Sequence, residues 1–431
     1  MCAMRVERPG GRDSAIANGR STAPAEVFGS RILALADRLA QHSDTADGLS
    51  CTFFTPAHRA VAADLKRWMG EAGLAVEVDA IGNVIGRLRS SKSGAKTVVL
   101  GSHYDTVVNA GKYDGRLGIL TALVVIEQLK TLKCQLPFNL NLIAFSEEEG
   151  VRFSIPYIGS RAVTGRFDPD LLQRTDAMGH TFAEIVRVAG FDPGELAAFE
   201  RPRDNLQAYL EVHIEQGPVL LNRDVPLGVV TAISGGVRQT VTITGTRNHA
   251  GSTPMDMRHD ALAAAAEVIL AVERRCRGVP GLVGTVGKVE IPNSAINVVA
   301  GTCTLSLDIR ASDDRTRDAA VSDIHHEIGC VAARRGVAAL IKELMRMAAV
   351  PCSPQLRARL AGGIARAGLP IVELPSGAGH DAVMFDGLTE VGMLFVRCGN
   401  GGISHSPLET VTAEDADIAA RVLFDVLTNW N

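Results

Sequence analysis

Cysteine is scarce in this chain. Its eight residues (Cys2, Cys51, Cys134, Cys276, Cys303, Cys330, Cys352, Cys398) are scattered over 431 positions with no C-x-x-C pair. That argues against a disulfide scaffold or a zinc knuckle and for reduced, mostly buried thiols. Long apolar runs are missing too, since none reaches the ~18 residues that a membrane span requires. Charge of one sign does not accumulate: 44 Lys and Arg stand against 48 Asp and Glu, a net −4. No basic cluster is large enough to suggest nucleic acid or an anionic membrane as partner. The opening stretch MCAMRVERPGGRDSAIANGRSTAPAE lacks an apolar segment of about 7–15 residues, so no secretory signal is expected and residues 1–25 read as a flexible leader. Signatures of other enzyme classes are also lacking. There is no G-x-x-x-x-G-K-S/T, no G-x-G-x-x-G after a strand and no G-x-S-x-G elbow, which weighs against nucleotide-binding and serine-hydrolase chemistry.

What is present is ordinary globular composition, 46% apolar and 21% charged, in a chain long enough for two or three domains. A cytoplasmic enzyme fits these features. After the leader, a helix is expected from about Ala25 to Gln41. A second is expected from Thr55 to Ala72, with Thr55 as N-cap, Pro56 at the first helical position and Gly73 as terminator. Short β-rich runs follow (LAVEVDA, NVIGRL and TVVL), then a buried helix over Leu117 to Leu132 and the strands NLNLIAF, LQAYLEVHI and VGMLFVRC. Strands alternating with helices predict an α/β fold with a mostly parallel sheet between helices. From about Gly228 to Met347 the order becomes β-α-β-β-α-β, a ferredoxin-like unit. The expected division is a main domain over 26–227 and 349–431, with an insert over 228–348.

The chemistry-bearing residues gather where strands end, the place where α/β sheets put their sites. GSHYDTVVNAGKYDG holds His103, Asp105 and Asp114; SEEEG holds Glu147, Glu148 and Glu149; EVHIEQG holds His213; GGISHSPLE holds His405. Imidazole nitrogen and carboxylate oxygen suit zinc or a similar divalent ion. Five such ligands with one bridging carboxylate would hold two ions, an arrangement suited to hydrolysis by an activated water. Three adjacent acids in SEEEG would repel one another without cations among them, although a solvated acidic turn is an open alternative. Asp105, two residues after His103, could accept the second ring N–H of His103 or simply lie at the surface.

The set GSHYDT, YDG, EEEGVRF, HIEQGP, NHAGSTPMD, PSGAGHDA and ISHSP resembles the amidase/hydantoinase/carbamoylase family, over nearly the whole chain after residue 25. That family holds N-carbamoyl-L-amino-acid hydrolases, allantoate amidohydrolases and β-ureidopropionase-type enzymes, within the zinc aminoacylase and carboxypeptidase superfamily. The resemblance implies a zinc-exopeptidase-like catalytic domain with an inserted lid and dimerisation domain, and a homodimer. It implies two divalent metal ions per subunit (Zn first; Mn, Co or Ni as alternatives) held by His103, Asp114, Glu149, His213 and His405, with Asp114 bridging. It further implies Glu148 as general base and His249 as oxyanion donor, reaching the site from the partner subunit or after lid closure. Asn297, Arg310 and His380 match substrate-side positions, and a ureido or carbamoyl acid is the implied substrate. The residues alone leave other roles open: His249 as a turn cap, Arg310 paired with Asp308, and His380 as a loop brace. Gly236 stands where allantoate-cleaving relatives usually carry Gln, which favours an N-carbamoyl amino acid over allantoate.

Overall fold

The structure, a computed structural model, describes residues 28–196 and 205–430; the expected leader over residues 1–25 lies outside the described residues. The first expected helix runs Phe28–Leu39 and the second Pro56–Glu71. Thr55 caps the second by accepting the His58 N–H, and Gly73, at φ +89°, turns the chain out of it. Among the described residues no helix is long and apolar enough to cross a membrane.

Six strands precede the insert: β1 (Ala75–Val78), β2 (Val84–Leu88), β3 (Thr97–His103), β4 (Asn139–Phe145), β5 (Leu206–Ile214) and β6 (Leu227–Ile233). The insert contributes β7 (Gly235–Thr244), β8 (Asn248–His249), β9 (Leu282–Thr285), β10 (Val289–Glu290), β11 (Val298–Val299), β12 (Thr302–Ala311) and β13 (Ala338–Met347). The chain then returns through β14 (Val350–Pro351), β15 (Glu373–Ser376) and β16 (Glu390–Val396). The larger sheet has the order β1-β2-β4-β3-β5-β16-β6-β14, with β15 also paired to β6. Its four central strands, β4-β3-β5-β16, run parallel. Burial along β3 and β5 is almost continuous, as expected of strands covered on both faces. One cover is the helix Arg116–Thr131, buried on nearly every side from Arg116 to Ile126.

The smaller sheet runs β13-β7-β12-β9, with β10 beside β12 and every pair antiparallel. Alternate residues of β12 are buried, because helices Ala261–Cys276 and Asp314–Arg335 cover one face. The boundary between sheets differs from the expected 228. The apolar run Leu227–Ile233 pairs with β16 and β15 in the larger sheet, so the sheets part at Ser234. A strand's apolar pattern shows that it is buried without showing against which sheet.

Helix Arg116–Thr131 lies against β5 closely enough that a Cβ on Gly118 would sit 2.0 Å from the Val212 carbonyl oxygen. Gly118→Ala is expected to lower stability by about 1–3 kcal/mol through overpacking, read as a lower midpoint in urea or thermal melts.

Candidate metal centre

The parallel strands deliver their carboxyl ends to one edge. His103 closes β3, His213 lies near the end of β5, Glu148 and Glu149 follow β4, and His405 follows β16. Asp114 sits in the turn that leads from β3 into helix Arg116–Thr131, and its carboxylate is the centre of the group. Oδ1 lies 3.7 Å from His103 Nε2 and 3.3 Å from His213 Nε2; Oδ2 lies 3.0 Å from His405 Nε2. The His405 nitrogen is also 3.3 Å from Glu149 Oε1. Ligand atoms of His103, Asp114 and His213 fall within 4.8 Å of one another, and so do those of Asp114, Glu149 and His405. These are two donor sets sharing one carboxylate.

The donor chemistry fits divalent cations. Asp114 Oδ1 is buried and has no hydrogen-bond partner among the described residues, an expensive state for a carboxylate oxygen unless a cation meets it. Each inner imidazole turns Nε2 toward the acids and engages a carbonyl with Nδ1: His213 with Ile214 O at 2.9 Å and His103 with Asp105 O at 3.1 Å. That backbone engagement holds the ring as metal-binding histidines require. Burial pushes the Glu148 carboxyl well above its ordinary range; His103 opposes this, while Glu149, Asp381 and Asp105 add to it. Crowded acids of this kind need positive charge among them to stay ionised together. Gly115, at φ +66°, is demanded by space as well as conformation, since a Cβ there would lie 2.5 Å from the His103 ring.

Several expected residues take positions the sequence did not indicate. The Asp105 carboxylate is 3.6 Å from His103 Nδ1, farther than its own carbonyl. It accepts instead the backbone N–H groups of Glu148 at 3.0 Å and Glu149 at 3.1 Å, tying the end of β4 to the end of β3. Of the three glutamates in SEEEG, Glu148 and Glu149 line the cleft and Glu147 does not. Glu147 adopts φ +56° and turns away, accepting the Arg152 N–H. His380 is buried and does not line the cleft. Its Nε2 lies 2.7 Å from Ser376 Oγ and its ring packs edge-on behind His213, centroids 4.5 Å apart.

The cleft above the acids encloses about 360 Å³, and its opposite wall is the open face of the smaller sheet, with Arg238, Arg310, Met345 and Met347. Arg310 does pair with Asp308, through Nε and Nη2 at 2.9 Å each, and donates Nη1 to Gly377 O, yet it still faces the cleft. His249 and Asn297 are exposed and do not line this cleft. They lie together on the β8–β11 ribbon, where Ala250 N–H donates to Asn297 O at 2.8 Å.

Three residues around Asp114 escaped the sequence reading. Gln216 Nε2 and Ser404 Oγ donate to Asp114 Oδ2 at 2.9 and 3.0 Å. Glu409 accepts the Tyr113 and Asp114 N–H groups at 2.8 and 3.2 Å, and burial, then the Asp114 charge, pushes it up to about 7. Gln216 and Glu409 stand in the same short segments as His213 and His405, which is the signal that could have flagged them.

Comparison with known proteins agrees with this geometry. The profile of peptidase family M20/M25/M40 matches residues 99–429. An N-carbamoyl-L-amino acid amidohydrolase of Geobacillus stearothermophilus is 38% identical over 377 residues, covering 88% of this chain and 92% of that protein. An allantoate deiminase of Arabidopsis thaliana is 38% identical over 423 residues, covering 90% and 80%. The crystal structure of an amidase of the hydantoinase/carbamoylase family from Burkholderia multivorans superposes with a TM-score of 0.86 at 31% identity, covering 93% of this chain and 97% of that one. A shared-carboxylate donor set at the edge of a parallel sheet, with a ferredoxin-like insert facing it, is therefore the architecture of a member of the M20/M25/M40 peptidase family, and this chain belongs to it.

Proposed function

We propose that the protein is a metal-dependent amidohydrolase that cleaves the carbamoyl C–N bond of an N-carbamoyl-L-amino acid. Water is consumed, and the amino acid, ammonia and carbon dioxide are released. The observation that carries this reading is the Asp114 carboxylate, with one oxygen facing His103 and His213 and the other beside His405, itself next to Glu149. In this reading His103, His213 and Asp114 hold one divalent cation and Asp114, Glu149 and His405 a second, with zinc the first choice and manganese, cobalt or nickel the alternatives. Such ions supply polarisation of the ureido carbonyl and a water acidified towards a pKa of ~7.

The chain's own residues do the rest. Glu148 stands beside the donor sets, with Oε2 4.0 Å from His103 Nε2. There it takes a proton from the attacking water and returns it to the leaving nitrogen. Asp105 acts as a positioning residue, holding the Glu148 and Glu149 backbone. Arg310 and Asn297 receive the substrate carboxylate, a guanidinium being suited to a planar anion. His249 donates to the developing oxyanion. Because His249 and Asn297 sit outside the cleft of the single chain, both reach the substrate from the second subunit of a homodimer or on closure of the insert. His380 acts from behind His213, by holding that ring. Gly236 lines the cleft without a side chain, which supports a single ureido group rather than allantoate.

Glu148→Gln is expected to lower turnover by at least about 10²-fold while leaving metal content intact; loss of metal would place Glu148 among the ligands. Exhaustive chelation should abolish hydrolysis, and Zn²⁺, Mn²⁺, Co²⁺ or Ni²⁺ should restore it. A panel of N-carbamoyl, N-acetyl, dipeptide and allantoate substrates identifies the reaction, and preference for allantoate or a peptide would overturn the substrate assignment. His249→Ala should cut turnover by about 10²–10³-fold with metal retained. If His249 acts across a dimer, mixing that variant with Glu148→Gln should restore part of the activity in hybrids, whereas no recovery would favour action within one chain.

A further inference from the structure

The loop after Glu149 carries a residue whose placement none of the roles above uses. Tyr157 has φ +63° and ψ +27°, a left-handed conformation uncommon for a bulky side chain. Such backbone persists where surrounding contacts hold it, and it concentrates at functional sites. Here the contacts are specific. Tyr157 N–H donates to Glu148 O at 2.9 Å, so the tyrosine is fixed to the backbone of the proposed base. Its carbonyl accepts the Arg161 N–H at 2.8 Å, inside the short helix Ile158–Val163. The ring is buried, yet it belongs to the cleft wall.

The hydroxyl matters most. A buried tyrosine ordinarily pairs its O–H, and because Tyr157 lines the cleft, a bound substrate is a partner within its reach. Gly379 makes room for it, since a Cβ there would lie 1.7 Å from Oη. Burial first, then the charges of Glu148 and Asp381, raise the phenol far above its ordinary pKa, against Arg310 and Arg238. The group is therefore a neutral donor at any pH the enzyme meets. It lies within the field of the acid floor on one side and of the arginine wall on the other.

We propose that Tyr157 is a further catalytic residue of this chain, whose phenolic O–H donates a hydrogen bond to the ureido oxygen and strengthens it as negative charge develops there. The assignment rests on the amidohydrolase reading given above. No proton is transferred: as water attacks the carbonyl carbon, the C=O electron pair moves onto oxygen, the O–H of Tyr157 stays intact, and Glu148 handles the proton. A fixed donor aimed at developing charge acts without reorganising during the reaction. Unlike His249, exposed on its ribbon, Tyr157 is already in the cleft of the single chain.

Tyr157→Phe removes the hydroxyl and keeps the ring. With an N-carbamoyl amino acid on metal-reconstituted protein, kcat should fall by about 10²-fold with KM nearly unchanged, and metal content and melting temperature should match wild type. Gly379→Ala, which puts a methyl where the hydroxyl sits, should lower kcat in the parent background and much less in Tyr157→Phe, because both act on one contact. A rise in KM at unchanged kcat would make the phenol a carboxylate binder and overturn the assignment, as would Tyr157→Phe matching an active wild type. Wild-type inactivity on every ureido substrate would instead overturn the amidohydrolase reading, and this assignment with it.

Discussion

One carboxylate organises the site. Asp114 has three imidazoles around it, from the ends of two parallel strands and from a distant loop. Nearly every polar neighbour serves to hold it in place. Glu409 secures the backbone on which it sits, Ser404 and Gln216 donate to its outer oxygen, and Gly115 lets the His103 ring approach from below. The inner oxygen has no hydrogen bond among the described residues. A buried anion in that condition calls for positive charge beside it, and the imidazole and carboxylate donors grouped around Asp114 suit a divalent cation.

The same logic extends to the protein behind the site. Asp105 spends its carboxylate on two backbone amides of the acidic loop. Burial alone would raise its pKa; the His103 ring and those amides outweigh burial and hold it below the ordinary range. Glu211 is fully buried one layer deeper and accepts from Ser102, Tyr209 and the Ala382 N–H. Asp105 and Glu211 thus each have their own set of donors, and the two sets interlock across β3, β4 and β5. A loop anchored in this way moves little, which suits a site that must hold its groups within fractions of an ångström.

Much of this was legible in the sequence, and the misses share a cause. Alternating strands and helices, the β-α-β-β-α-β insert and the five ligand-type residues at strand ends are local patterns, and they survive folding because each depends on a few adjacent positions. The boundary at 228 failed because Leu227–Ile233 is equally apolar whichever sheet receives it. His380 was expected on the substrate side, yet it lies behind His213, since a glycine-rich turn does not disclose which way the next side chain points. Asp105 was assigned the His103 ring on spacing, but two amides from another strand compete for the same oxygens and are closer. Tyr157 gave no signal at all, because a left-handed tyrosine is a product of the packed structure.

The chain enters and leaves the insert at neighbouring positions. Ile233 and Val350 face each other as antiparallel partners, so the exit and the return lie one strand spacing apart, about 4.8 Å. Everything from Gly235 to Met347 is thus grafted at a single point on the host sheet, and the host's own hydrogen bonding would close over the gap were the graft removed. Closing a gap that short costs the host little entropy however long the excursion. A module of another size could be joined at this position with the acid-lined edge left as it is.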